Sequence, residues 1–296
     1  MQTLTEIRQL LEEAGLAPQK RFGQNFLIDK NLLAKLLELA AMDAQQTVLE
    51  VGPGTGTLTE ELLGRCGRVV AVEIDRGLHS LLQRRLGDRP NIVLLHQDVL
   101  ADKRHLSPTV TAALGPEASL VSNLPYNIAT PLVAQCLTDT WKVAAGKADA
   151  SALCRFRSLT FTVQREVADR FAAGASSELY GQVSIVVALL GRVTKGPLAP
   201  PGAFWPRPTV DSRMMRIDFD DAKAGRLRDV ETLLAVLNLA FAQRRKQIKS
   251  VLKRCDGVFD ADRLAEALRQ AGIDGTLRPE DIPGDQYLAL ANALAV

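Results

Sequence analysis

Apolar positions along the first two thirds of the chain fall into short blocks that alternate between two periods. Residues 1–15 place leucine and isoleucine at helical spacing between charges, ending at Gly15, and 30–42 (KNLLAKLLELAAM) repeat that period. TVLEVG (47–52) is a continuous apolar run closed by glycine, as expected of a buried strand. A helix is predicted from Thr57 to Leu63, a strand over 68–74, a helix over 77–86, a strand over 91–99 and a strand over 119–123. Residues 101–117 are polar and read as a surface excursion. Another helix is expected near 130–140, a loop insertion over 143–157, and strands over 159–164, 182–191 and 214–219. Strands alternating with helices imply βαβ units and a parallel sheet covered on both faces.

After Asp221 no further strand pattern appears, and 226–254 and 260–271 carry helical periodicity. The expected organisation is therefore an α/β domain over 1–222 and a small all-α domain over 223–296.

Composition adds boundaries rather than direction. The chain has 296 residues, 47% hydrophobic and 24% charged, enough to bury a sizeable core. A net charge of +2 does not mark a nucleic-acid binder by itself, so local clustering has to make that case. Cys66, Cys136, Cys154 and Cys255 form no CxxC pair, and His79, His96 and His105 have no metal-ligand spacing, so reduced thiols and no metal site are expected. The longest uncharged apolar run, near 183–191, is far short of the ~20 residues of a membrane helix. The N-terminus lacks a signal-peptide core. A soluble, cytoplasmic protein with no membrane contact follows as the expectation, with a monomer as its simplest state.

The first candidate chemistry lies in Glu50-Val51-Gly52-Pro53-Gly54-Thr55-Gly56, between a strand and a helix. Glycines there permit tight turns and close backbone approach to a ligand. A dinucleotide loop would read GxGxxG, with pyrophosphate on the helix N-terminus. Here the spacing is GxGxG and Glu50 stands two residues before the first glycine. That acid would repel a pyrophosphate and suits a ligand with a cationic end, such as S-adenosyl-L-methionine. Glu73, at the end of the second strand, stands about 20 residues beyond Gly52, where a carboxylate can take ribose hydroxyls. Asp98 ends the third strand and can accept from an adenine amino group. A tight turn with capping acids explains the loop alone equally well, and a nicotinamide enzyme is the main rival at this stage.

Asn123-Leu124-Pro125-Tyr126 follows the fourth strand, at the same sheet edge. The exocyclic nitrogen of adenine is a poor nucleophile because its lone pair is delocalised into the ring. The Asn123 side-chain carbonyl and an adjacent backbone carbonyl can accept both N–H bonds, localise the lone pair and stabilise the charge that develops. Pro125 stiffens the turn, and Tyr126 offers a flat face to a base taken out of its stack. In isolation the tetrapeptide would read as an ordinary Asn-x-Pro turn; its place beside the glycine loop favours chemistry.

With these motifs in hand, the chain resembles the ribosomal RNA adenine dimethyltransferase family. The resemblance rests on KRFGQNFL (20–27), LEVGPGTGTLT (49–59), VEID (72–75), QDVL (97–100), NLPYNIATPL (123–132), FTVQREVADR (161–170), YGQVS (180–184), AFWPRPTVDS (203–212), FAQRRKQIKSVL (241–252) and RPEDI (278–282). It implies a class I S-adenosylmethionine-dependent methyltransferase fold, Rossmann-like, with a seven-stranded, mostly parallel sheet and a small helical C-terminal domain. It also implies that Asn25 and Leu27 line the cofactor with Gly52, Glu73, Asp98 and Asn123. Phe204 is similar to the aromatic that packs on the target adenine opposite Tyr126, while Trp205 reads as structural. The implied activity is dimethylation of N6 on two adjacent adenines in the 3′-terminal hairpin loop of 16S rRNA within the immature small ribosomal subunit. A resistance-type methylase acting on large-subunit RNA and a non-enzymatic binding role are the competing classes. The intact acids and the Leu124 of NLPY argue against both.

Arg244, Arg245, Lys246, Lys249, Lys253 and Arg254 fall within eleven residues. On a continuous helix 246, 249 and 253 would share a face, with 245 beside 249. Lys20 and Arg21 add charge ahead of the QNFL segment. Such a stripe can position RNA by its phosphates. A solvated helix face is the plainer alternative, and the absence of acids from 242–255 favours RNA.

Overall fold

In a computed structural model the described residues are 1–102, 105–148, 152–252 and 259–295, without the side chains of Lys20 and Leu252. Seven strands form one sheet: β1 (Thr47–Val51), β2 (Arg68–Glu73), β3 (Ile92–His96), β4 (Glu117–Asn123), β5 (Arg155–Gln164), β6 (Gly191–Ala199) and β7 (Ser212–Phe219). Their order is β3-β2-β1-β4-β5-β7-β6. The pairs β1–β2, β2–β3, β1–β4 and β4–β5 are parallel, and β7 runs antiparallel to β5. Val48, Leu49, Val69, Val70 and Leu120 are fully buried, as the continuous apolar runs of strands covered on both faces require. The strand order reverses between β1 and β4. In open α/β sheets ligands bind beyond the carboxyl ends of the strands at such a point.

The helices that matter for the site are α1 (Leu4–Glu13), α2 (Lys30–Ala40), α3 (Thr57–Leu63) and α4 (Arg76–Leu86). α2 and α4 begin on Asp29 and Asp75, whose carboxylates accept from the first free N–H groups. A two-residue ribbon pairs Phe26 with Trp205 and Leu27 with Phe204.

The chain divides into two compact units, one of residues 1–168 and 193–218, the other of 169–192 and 219–296. The division expected at 222 is thus incomplete: 169–192 belongs with the C-terminal helices. The reason lies in the QVSIVVALL run, which sequence reading takes for a strand over 182–191. It is a helix, α5 (Gln182–Leu190), with seven of its nine residues buried. A run apolar on every side has no periodicity, and β-branched residues bias it towards strand until burial on all sides overrides that preference. Ser184 starts the helix, accepting from Gly181 N–H (3.1 Å) and donating to the Arg170 carbonyl (2.7 Å).

The strand beside it in sequence, β6, carries Lys195, Gly196 and Pro197 and went unrecognised; it is the edge of the sheet, where proline is tolerated. Other boundaries also move. In the excursion over 101–117, residues 100–102 pair antiparallel with 105–106 and a helix covers 108–114, while 103–104 lie outside the described residues. The expected insertion over 143–157 shrinks, because the helix Ala129–Ala144 and β5 take both its ends; residues 149–151 lie outside the described ones.

Within the second unit the helix read over 226–254 is two, α6 (Val230–Phe241) and α7 (Ile248–Leu252), separated by turns at 242–247. The single charged face expected there does not form. Lys253 and Arg254 lie outside the described residues.

Candidate active site

A cavity opens beyond the carboxyl ends of β1, β2 and β4, and its wall includes Glu50, Gly52, Gly54, Glu73, Asp98 and Asn123. Asn25, Leu27, Leu124, Pro125 and Tyr126 also line it. Eleven sequence-predicted residues from five segments therefore converge on one site.

The two buried acids set its electrostatics. Glu50 is 2% exposed and burial pushes its carboxyl up to about 8, with Glu73 nearby raising it further. Its Oε2 is a buried oxygen without a hydrogen-bond partner. Glu73 is 4% exposed and burial pushes it up to about 7, although it accepts from the N–H groups of Asp75 (2.9 Å) and Gly54 (3.2 Å). Two carboxylates held in a desolvated wall are a deficit that a cationic or hydroxyl-rich ligand would relieve. Asp98 is exposed at the rim; one of its oxygens caps Leu100 N–H (3.0 Å), which leaves the other for a ligand. This set of acceptors fits the amino group, sulfonium, ribose and adenine of S-adenosylmethionine.

Two of the three loop glycines face the site, each for a stated steric reason. A Cβ on Gly52 (φ +68) would stand 3.1 Å from Pro125 Cγ, and one on Gly54 (φ +62) would stand 2.8 Å from the Phe26 ring. Gly56 does not line the cavity. At φ +90 it starts α3, and a Cβ there would meet Leu82 (2.9 Å) and Leu86 (3.1 Å) of α4. Its role is helix packing, not contact with the cofactor.

The Asn123 side chain has a fixed orientation. Its Nδ2 donates to the Asn25 backbone carbonyl (2.8 Å), which can only accept, so Oδ1 points the other way and is buried with no partner. Leu124 N–H donates to the Thr162 carbonyl (3.2 Å), which anchors the backbone of that residue on its N-terminal side. The Tyr126 hydroxyl meets Ser212 Oγ (3.0 Å), and burial raises its pKa.

Phe204 departs from expectation. It is 2% exposed and packs in the core with Leu27, Leu33 and Met214; it does not line the cavity. Alternation along the ribbon explains this: Phe204 turns to the core, whereas Trp205 stacks with Phe26 at 6.2 Å beneath the Arg8 guanidinium. The stacking role opposite Tyr126 is not available to Phe204 in this arrangement.

Sequence reasoning missed three contributors. Phe22 lines the cavity with the Arg21 guanidinium 4.5 Å above its ring. Ile74, directly after Glu73, lines it while 45% exposed, an apolar side chain presented to a ligand. Asp75 ties down the QNFL segment, accepting from Gln19 (2.7 Å) and Gln24 (3.2 Å). An apolar residue and an acid directly after the strand-ending Glu73 were the available signals.

Of the basic residues, Arg244 is engaged within its own unit, pairing with Glu280 and donating to the Glu178 carbonyl (2.6 Å). Arg245, Lys246 and Lys249 are exposed. Among the described residues no helix is long and apolar enough to cross a membrane, and no cluster of metal-ligating side chains occurs.

The sequence profile of the family described as ribosomal RNA adenine dimethylase matches residues 16–295. Ribosomal RNA small subunit methyltransferase A of Magnetococcus marinus is 38% identical over 288 residues, covering 97% of this chain and 95% of its own. The protein of the same name from Phenylobacterium zucineum is 37% identical over 294 residues, covering 99% and 94%. Among solved structures, the 23S rRNA methyltransferase ErmE superposes with a TM-score of 0.61 at 26% identity, covering 91% of this chain and 99% of that one. A dimethyladenosine transferase from Plasmodium falciparum shares the fold, with a TM-score of 0.67 at 21% identity over 90% of this chain and 95% of that one. With a class I methyltransferase sheet, a cavity built from its own motifs and a profile match over nearly the whole length, the chain belongs to the ribosomal RNA adenine dimethylase family.

Proposed function

We propose that this protein transfers methyl groups from S-adenosyl-L-methionine to N6 of two adjacent adenines in the 3′-terminal hairpin loop of 16S rRNA, giving N6,N6-dimethyladenosine during small-subunit maturation in the cytoplasm. The observation that carries this reading is the buried, unpartnered Oδ1 of Asn123, oriented by the Asn25 carbonyl and set on the same cavity wall as Glu50 and Glu73. When bound, S-adenosylmethionine supplies an electrophilic methyl group on a sulfonium. The protein's own part is positioning and electrostatics. Asn123 Oδ1 and the Leu124 carbonyl accept the two N6–H bonds, localising the nitrogen lone pair. Tyr126, held by Ser212, offers its face to the flipped base. Glu50 and Glu73 answer the cationic and ribose parts of the donor, and Asp98 its adenine. Arg21, Lys20, Arg245, Lys246 and Lys249 contact RNA phosphates. The protein acts as a monomer and needs no metal.

The test is transfer of label from S-adenosylmethionine to purified small and large ribosomal subunits from a strain lacking this activity, with nucleoside mass analysis. Dimethyladenosine in small-subunit RNA alone is expected. Label confined to large-subunit RNA would instead assign the resistance-type activity on large-subunit RNA. Normal cofactor binding with no label in either subunit would leave a binding role.

A further inference from the structure

Gln2 precedes α1 and lies outside the family-matched span, which begins at residue 16. Its side chain is nevertheless 5% exposed and spends its whole amide on the glycine loop. Nε2 donates to the Thr55 carbonyl (3.0 Å), while Oε1 accepts from Thr55 Oγ1 (2.7 Å) and Thr57 Oγ1 (3.0 Å). Thr55 and Thr57 both line the cavity. The Thr55 carbonyl also accepts from Arg85, whose other nitrogen pairs with Glu60 (2.5 Å). On the opposite side of the same loop, Gly54 N–H is held by Glu73.

The placement of Gln2 is itself built. Thr3 caps α1, and Glu6 reaches back to the Thr3 N–H (2.5 Å), so the residue just before the cap leaves the helix in a set direction. Ile7 and Leu11 then bury α1 in a cluster with Phe26, Leu78 and Leu81. Phe26 is the ring that closes over Gly54.

We infer that Gln2 is a positioning residue of the cofactor site, and that the segment 1–15 works as a clamp on the glycine loop rather than as an appendage. Without the amide, two threonine hydroxyls lose their acceptor and the Thr55 carbonyl keeps only Arg85, and the loop samples conformations that do not bind. The penalty falls on cofactor affinity, because the loop must be re-ordered at binding. It does not fall on the methyl-transfer step once the cofactor is held. This inference rests on the S-adenosylmethionine reading above.

The test uses the full-length chain and compares Gln2→Ala and the isosteric Gln2→Glu with wild type. Calorimetry gives the Kd for S-adenosylmethionine, and steady-state assays give kcat and the KM values for cofactor and RNA. Thermal unfolding of each variant confirms folding. Both variants are expected to raise Kd and KM for the cofactor by about tenfold, the loss of one or two net hydrogen bonds, with kcat at saturating cofactor and KM for RNA unchanged. Thr57→Val in the Gln2→Ala background is expected to add less than it does alone. Wild-type cofactor affinity in folded Gln2→Ala and Gln2→Glu would overturn the clamp. So would a fall in kcat with cofactor KM unmoved. A wild-type chain that does not bind the cofactor would overturn the reading beneath it, and the clamp with it.

Discussion

At the scale of single residues the site is a set of polar atoms left short of partners. Asn123 is the sharpest case, since one end of its amide is used by the fold and the other is left over. Asn123→Ala is therefore expected to cut turnover by about 10²–10³ while cofactor affinity changes little, as for removal of one preorganised acceptor. Single-turnover rates beside cofactor titration check this, and near-normal turnover would refute it. Glu50 makes a prediction in pH. Its carboxyl is raised from 4.5 in the unfolded chain to about 8 in the folded one, so between those values the folded state binds more protons. Stability of the free protein is then highest below the unfolded value and is lost as pH rises through the folded one. A cationic ligand favours the carboxylate, so the thermal shift produced by S-adenosylmethionine should be larger at about pH 8.5 than at about pH 6. In Glu50→Gln the free protein should lose most of this decline in stability, and the cofactor should shift it little at either pH. Parallel melting curves for variant and wild type across that range would remove Glu50 from the cofactor site.

At the scale of elements, the same glycine loop shows how a motif mixes chemistry with packing. Gly56 combines φ +90 with a neighbour at 2.9 Å from the position of a Cβ, whereas Gly64, at the other end of α3, has φ −86 and nothing nearer than 3.8 Å. Gly56→Ala is expected to cost about 1–3 kcal/mol, from the left-handed backbone together with displacement of Leu82. Gly64→Ala should be close to neutral. Denaturant unfolding of the pair decides it, and equal stabilities would mean the α3–α4 contact yields freely. This division marks what the sequence could disclose. Strands β1 to β4 and helices α2 to α4 are legible because each has one period and is bounded by a glycine, a proline or a capping aspartate. Glu50, Glu73 and Asn123 are legible because chemistry explains their places at strand ends. α5 was not, since an all-apolar run carries no phase, and β6 was not, since an edge strand with Gly196 and Pro197 looks like a loop. Phe204 was misplaced because a motif gives a position in sequence, not which face of a two-residue ribbon it takes.

At the scale of the whole molecule the question is how a chain of net charge +2 holds a polyanion. The answer has to come from cations that are not already spent. Arg244 is spent on Glu280 and the Glu178 carbonyl, so its removal should loosen the second unit more than it weakens RNA binding. Lys249 lies with its stem against Gly275, and the Asp274 carboxyl, held below the usual range first by its hydrogen bonds from Thr276, is lowered further by the Lys249 charge, so part of the Lys249 field is already used. Arg245 and Lys246 are exposed and have no ion-pair partner among the described residues. The break between α6 and α7 puts them in turns, where two neighbouring side chains can reach separate phosphates without sharing a helix face. Replacing both with alanine should therefore lower the slope of log affinity against log salt by about 1.4–1.8, the range for two lost phosphate contacts. Lys249→Ala should lower it further by less than either. Cofactor affinity should stay unchanged, since none of these residues lines the cavity. Binding of a small-subunit RNA fragment measured across a salt series reads the slope directly. A slope unmoved by the double replacement would return Arg245 and Lys246 to the solvated surface.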